Sequence, residues 1–240
     1  YTARVSDAAG NQSAAGTAYT ATVDTAAPGA PNITSVTDDV GIVTGTVASG
    51  GVSDDTALVV RVSLTGTGAV LGDTVQLYNA SAALGSAATL TATDISNGYV
   101  DINTPTLSNG TSYTLNAKVI DVAGNASAAS ANHTVAIDTT APVTAAAVTA
   151  VTDDVGTVTG TVASGGKTDD TSLTVSGTLS AALTAGETVR VYDGATYLGT
   201  ATVTGTTWTY ADTRTLTNTQ ALSYTARVSD AAGNQSAAGT

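Results

Sequence analysis

Aspartate is the residue of this chain whose spacing could do chemistry, and it recurs in fixed settings. Asp-Asp pairs stand at Asp38-Asp39 and Asp153-Asp154 in VTDDVG, and at Asp54-Asp55 and Asp169-Asp170 in Asp-Asp-Thr. Asp-x-Ala-Gly-Asn turns join Asp121 to Asn125 and Asp230 to Asn234, and single aspartates, Asp24 and Asp138, begin Asp-Thr-x-x-Pro segments. Two carboxylates about 4 Å apart repel by roughly 4 kcal/mol at an effective dielectric near 20. Three or four converging at one place therefore need a cation or raised pKa values. Ca²⁺ suits such a set, because it takes roughly 6–8 oxygen ligands in irregular geometry. These residues are the candidate ligands of a structural calcium between domains. The other reading is that the same side chains cap backbone N–H groups in turns.

Catalytic chemistry finds little support. Glu187 is the sole glutamate, His133 the sole histidine, and cysteine is absent, so no conventional His/Cys zinc set exists. No serine lies in a G-x-S-x-G elbow, and Gly165-Gly166-Lys167-Thr168 lacks the first glycine of a phosphate loop. Carboxylates repeated in every unit are a poor basis for paired acid and base work. The expectation is a protein that is not an enzyme, with no catalytic residues and no organic cofactor.

Nineteen acidic against seven basic residues give a formal charge of −12, which repels nucleic acid and anionic lipid and favours divalent cations. Without cysteine no disulfide stiffens the chain, so rigidity must come from packing, metal or neighbouring repeats. No apolar run is long enough to cross a bilayer, and neither an initiator methionine nor a signal peptide is present, which reads as a segment of a longer protein.

The elements that must position the aspartates are strands. Thr, Val and Gly dominate, with period-two apolar runs at Leu58, Val60, Val62, Leu64, at Val75, Leu77, and at Leu115, Ala117, Val119. Turn clusters every 8–12 residues or so predict an all-β chain of sandwiches. Trp208 and Tyr99, 109 residues apart, are expected to supply the large core aromatic of each sandwich.

Internal repeats divide the chain. Residues 1–17 recur unchanged at 224–240, and within that span VTDDVG and Asp-Asp-Thr each recur at an offset of 115, falling to 109 by DVAGN and DAAGN. Boundaries fall at VDTAAP and IDTTAP, where proline interrupts pairing. The expected organisation is 1–23, the last hairpin of a preceding repeat; 24–138, repeat one; and 139–240, repeat two without its last strand. Counting strands from one pole to the other sets Asp121 and Asn125 against Asp24, and Asp230 and Asn234 against Asp138. It sends Asp54-Asp55 to that same N-terminal pole of repeat one and Asp38-Asp39 to the C-terminal pole.

The string TDDVG, VTGTVASGG, TDDT, G-x-TV-x-x-YD, TWTY, YTARVSDAAGN and VDTAAP resembles the bacterial immunoglobulin-like tandem repeats of giant type I-secreted adhesins and biofilm-associated surface proteins. The resemblance covers nearly the whole chain. It implies tandem immunoglobulin-like β-sandwiches, secreted to the bacterial cell surface and often stiffened by Ca²⁺ between domains. Such repeats hold a distal binding module away from the cell. The expected partners are neighbouring repeats, without nucleic acid or membrane insertion. A rival expectation is the subunit of an extracellular filament or sheath, in which the out-of-phase ends self-associate by strand addition.

Overall fold

The computed structural model describes residues 1–239, and outside one short helix its regular elements are all strands. In the first unit these are β1 (Asn32–Asp38), β2 (Gly45–Thr46), β3 (Gly51–Ser53), β4 (Val59–Ser63), β5 (Thr74–Asn79) and β6 (Ala82–Thr89), then α1 (Ala92–Asn97), β7 (Tyr99–Asn103), β8 (Thr111–Ile120) and β9 (His133–Ile137). The second unit holds β10 (Ala146–Asp153), β11 (Gly160–Thr161), β12 (Thr174–Leu179), β13 (Thr188–Asp193), β14 (Thr196–Thr200), β15 (Thr202–Thr204), β16 (Thr207–Ala211) and β17 (Tyr224–Ser229).

Two pairs of sheets result. The first unit has β2-β1-β4-β7 facing β3-β9-β8-β5-β6, and the second has β11-β10-β12-β16-β15 facing β14-β13-β17. Pairing is antiparallel except for β3 with β9. Alternate residues point inward, as period two requires. Leu58, Val60, Val62, Val75, Leu77, Leu115, Ala117 and Val119 are buried, joined by Val135 and Ile137 of β9. A separate core in the second unit gathers Val175, Val189, Val191, Trp208, Ala226 and Val228. The same irregularity in register, at Ile33/Ser35 and again at Val148/Ala150, bends the first strand of each unit.

β9 is the strand that closes the first unit. It pairs with β8 on one side, Leu115 opposite His133 and Tyr113 opposite Val135, and on the other lies parallel to β3, Val52 opposite Ala136. The second unit repeats β1, β2, β4, β5, β7 and β8 as β10, β11, β12, β13, β16 and β17 but has no counterpart of β9 among the described residues. Residues 166–168, which correspond to β3, accordingly form no strand.

Residues 1–19 form a hairpin of their own. Tyr1 and Tyr19 exchange backbone hydrogen bonds, Gly16 N donates to Ala3 O, and Ser13 N donates to Val5 O. All of residues 1–27 are exposed.

Two departures from the strand reading have local causes. Helix α1 is nucleated by a reciprocal cap between Thr91 and Asp94 and stops at Gly98, whose φ of 74° suits glycine. In the second unit a tight turn joins β15 to β16 instead, which accounts for the shrinking repeat offset. Tyr99 is not a core aromatic: it lies half-buried on the outer face, with the Arg61 guanidinium 3.9 Å over its ring. Trp208 lies opposite Gly177, and the equivalent first-unit pair is Val62 opposite Val100, so the tryptophan matches Val100 and not its neighbour Tyr99. A displacement of one residue along a strand reverses the face.

The two pairs conserve volume differently, valine with valine in one unit and glycine with tryptophan in the other. A Cβ at Gly177 would lie within 2.5 Å of the Trp208 ring. Gly177→Val is therefore expected to destabilise the second unit by about 1–3 kcal/mol through overpacking. Because the same Cβ would also strike the Ala147 carbonyl oxygen, adding Trp208→Val should restore only part of that loss, and a double-mutant cycle in urea would show the coupling.

Candidate metal centre

The candidate aspartates divide into two kinds according to what already holds their oxygens. Asp121 and Asp230 belong to the first kind, buttoned into their own turns. Asp121 Oδ1 accepts Asn125 N at 2.7 Å and its Oδ2 accepts Asn125 Nδ2 at 2.8 Å. Asp230 Oδ1 accepts the N–H groups of Ala232, Gly233 and Asn234, and its Oδ2 accepts Asn234 Nδ2 at 2.9 Å. Asp7 and Asn11 repeat the motif in the leading hairpin. Hydrogen bonds to Asn125 hold the Asp121 carboxyl below its ordinary pKa.

Each turn also reaches the linker that enters its unit. Asn125 Nδ2 donates to Asp24 O at 3.3 Å, and Asn234 Nδ2 donates to Asp138 O at 2.8 Å. The side chains of Asp24 and Asp138 cap the N–H groups of Ala26 and Thr140. The expected juxtapositions of Asp24 with the 121–125 turn and Asp138 with the 230–234 turn are present.

The Asp-Asp pairs are the second kind, and the strand count misplaced one of them. Asp54 and Asp55 do not lie at the N-terminal pole of the first unit; they share the C-terminal pole with Asp38. After β1 reaches that pole, β2 turns back along it, and the chain then crosses to the other sheet as β3, which runs parallel to the outgoing β9. Counting a single strand where the chain makes two reversals inverted the direction. Gly41 and Gly45, with φ of 73° and 115°, make the first reversal.

Around this pole Asp38 accepts the Ser53 hydroxyl on Oδ2 and Val40 N on Oδ1. Asp55 N donates to Ser53 Oγ at 3.1 Å, and Asp55 Oδ1 accepts Ala57 N. Two buried carboxylate oxygens have no hydrogen-bond partner, Asp55 Oδ2 and Asp54 Oδ1. Asp39 is exposed beside them. Ser53 also accepts Asp138 N on its carbonyl, 2.9 Å, so the linker leaves from this cluster.

The second unit's Asp230 turn comes against the same cluster. A methyl group at Gly233 would lie 3.2 Å from Val43 N and 3.4 Å from Asp54 Oδ2. Burial first, then the charges of Asp38, Asp230 and Asp55, push the Asp54 carboxyl up to about 6. Asp38, Asp54 and Asp55 thus meet Asp138 and Asp230 where the units join.

The second unit builds the same half-site at its far pole. Asp153 Oδ2 accepts Thr168 Oγ1 at 2.6 Å, Asp170 N donates to Thr168 Oγ1 at 3.0 Å, and Asp154 N approaches Asp170 Oδ2 at 3.4 Å. Asp169 lies against Gly156 as Asp54 lies against Gly41. The glycine of VTDDVG is required at both poles because a side chain there would strike the carboxylate. Sequence reading did not single out Ser53, Thr168, Gly41 or Gly156; the hydroxyl directly before each Asp-Asp-Thr and the glycine after each DDV were the available signals.

Among the described residues no group of three or more His, Cys, Asp or Glu side chains is already gathered into a metal cage. What the junction offers a hard cation is unpaired oxygen. Asp54 and Asp55 fit that description, and Asp121 and Asp230 fit it less well because amide donors already satisfy them. Asp212, the most buried carboxylate, is fully engaged elsewhere, by Arg214 and by the Tyr224 hydroxyl at 2.6 Å. His133 sits on β9 with burial lowering its pKa.

No family model matches this chain, and no curated protein does. Among solved structures it is similar, at 14% identity and a TM-score of 0.22, to the Streptomyces avermitilis alpha-L-rhamnosidase complexed with L-rhamnose. That match covers 86% of this chain and 24% of the enzyme, so the chain spans about a quarter of its length. Among the described residues no helix is long and apolar enough to cross a membrane.

The raised Asp54 pKa fixes the sign of a pH effect. The folded state holds this proton up to about pH 6, whereas the unfolded chain releases it near 3.8, so folded stability falls as pH rises across that window. With divalent cations chelated, thermal unfolding is expected to show the first unit more stable near the bottom of the window than above it. Asp54→Asn should flatten the slope, and an unchanged slope would remove Asp54 as its source.

Proposed function

We propose that this chain is a length of extender from a secreted bacterial surface adhesin, built of tandem immunoglobulin-like sandwiches whose joints Ca²⁺ stiffens. The observation that carries the reading is the junction. Asp54 and Asp55 each keep one buried carboxylate oxygen without a hydrogen-bond partner, they follow Ser53, whose carbonyl holds the Asp138 linker, and the Asp54 carboxylate borders the Asp230 turn. The resemblance in VTDDVG, DAAGN and DTAAP supports the surface setting, and the acid-rich composition suits a cation-rich exterior.

The mechanism rests on linkage. Asp54 and Asp55, with Asp38 beside them and Asp138 in the linker, would hold the ion, and Ca²⁺ would supply the positive charge that offsets their repulsion. An ion that binds only the aligned pair favours alignment by about 2.7 kcal/mol at a hundred times its Kd. The residues do the rest. Ser53 orients Asp38 and Asp55 through one hydroxyl, Gly41 leaves room for the Asp54 carboxylate, and Asn234 clamps the Asp138 carbonyl. Strands of about ten residues rise roughly 3.3 Å each, so every aligned unit adds on the order of 30–40 Å of reach.

Small-angle scattering of the 240-residue chain at low concentration tests this. Ca²⁺ should lengthen and stiffen the particle and chelator should reverse the change. An Asp54→Asn/Asp55→Asn variant should lose about tenfold or more in calcium affinity while keeping its fold. Identical profiles with and without Ca²⁺, and no bound metal, would reduce the pairs to turn chemistry.

A further inference from the structure

One outer face of the second unit carries side chains that the first unit lacks. Along β13, Val189 and Val191 point into the core, so Arg190 and Tyr192 point outward. On β17 the buried Ala226 and Val228 leave Thr225 and Arg227 outward in the same way. Arg190 stands directly opposite Arg227 in the ladder between β13 and β17, and Tyr192 stands opposite Tyr197 of β14.

Like charges set opposite each other on neighbouring strands, their Cβ atoms about 5 Å apart, destabilise the pair. In a chain of charge −12 a carboxylate to neutralise them should be easy to supply, yet neither arginine has one. The ion pairs among the described residues are Arg61 with Asp101 and Arg214 with Asp193 and Asp212.

The neighbours hold these guanidiniums in place without neutralising them. Arg190 lies with its guanidinium 3.8 Å over the Tyr197 ring, and its Nε donates to the Tyr192 hydroxyl at 3.2 Å. Gln235 Nε2 donates to the same hydroxyl, and the Tyr192 and Tyr197 rings meet at 5.5 Å, tilted by 55°. Arg227 Nη1 donates to Ser236 O at 3.0 Å. Among the described residues the Nη groups of Arg190 and Nη2 of Arg227 find no acceptor.

The first unit shows what this scaffold needs for folding alone. Where the second unit has Arg190, Tyr197, Arg227 and Gln235, the first has Gln76, Ala83, Lys118 and Ala126. Gln76 is buried, its amide donating to Leu77 O, and Lys118 stands alone as the cation, 5.5 Å over Tyr78. The fold therefore does not require the arginine pair, the second tyrosine or the glutamine.

We propose that this face binds a carboxylate-bearing polysaccharide, a polyuronate. Guanidinium forks match carboxylates bidentately, and Arg190 is already oriented by Tyr197 and Tyr192. Two unneutralised cations side by side call for an anionic partner. The rest of the surface suits sugar: Thr200 and Thr225 add hydroxyls, and Tyr197 stays 42% exposed, which leaves room for a pyranose ring beside it. An acidic peptide finds less here, because β13 lies between β14 and β17 and offers no free edge for strand addition.

Isothermal titration of the 240-residue chain with oligogalacturonate tests this, in chelator so that calcium neither bridges the ligand nor acts at the joint. Binding that weakens as salt rises is expected. Arg190→Gln/Tyr197→Ala, which installs the first unit's residues, should lose about tenfold or more in affinity, the worth of a charge-assisted hydrogen bond, and should unfold at no lower temperature. Arg227→Lys keeps the charge without the fork and should also bind more weakly. Methyl-esterified oligogalacturonate and polyglutamate should each bind about tenfold more weakly than the free uronate. No binding at low salt would overturn the proposal, as would affinity unchanged in both variants. Polyglutamate binding as tightly as the uronate would overturn it in favour of an acidic polypeptide.

Discussion

A strand with two partners cannot be removed from a sheet without exposing donors and acceptors on both of them, and β9 is such a strand. Its β8 side is antiparallel and its β3 side parallel, so it joins the end of the first unit to the loop that follows β1. That placement determines the rest. Because β3 must run alongside β9, Ser53 and the aspartates after it arrive at the pole where β9 hands over to Asp138. The unpaired oxygens of Asp54 and Asp55, the position of the linker and the contact with the Asp230 turn all follow from one pairing.

The junction shows how electrostatics and turn chemistry divide the aspartates. Those in Asp-x-Ala-Gly-Asn are surrounded by backbone and amide donors and are low in pKa or fully bonded, so they act as rigid clips. Asp54 and Asp55 each keep a buried oxygen without a partner, and the charges of Asp38, Asp55 and Asp230 crowd the Asp54 carboxylate. Fixed clips beside frustrated carboxylates make a joint whose stiffness depends on what neutralises it.

The two units also show that near-identical strands need not share a core. Where the first packs Val62 against Val100, the second uses Gly177 beneath Trp208, and the strand register absorbs the exchange. Arg214, paired with Asp212 and Asp193, ties the segment before β17 to the end of β13.

The sequence by itself determined the strands, the inward set of Leu58, Val60, Val75 and Leu115 and the Asp-to-Asn clips, because each depends on period-two alternation or on residues within five positions of one another. It also placed Asp24 and Asp138 correctly, since a linker has little freedom in which turn it meets. The position of Asp54 and Asp55 was decided only by the tertiary structure: two short strands and a sheet switch between β1 and β4 left no periodic signal, and one uncounted reversal changes the pole. Tyr99 failed for a related reason, a repeat offset wrong by one residue where α1 replaces a turn, and in a strand one residue is the difference between core and surface.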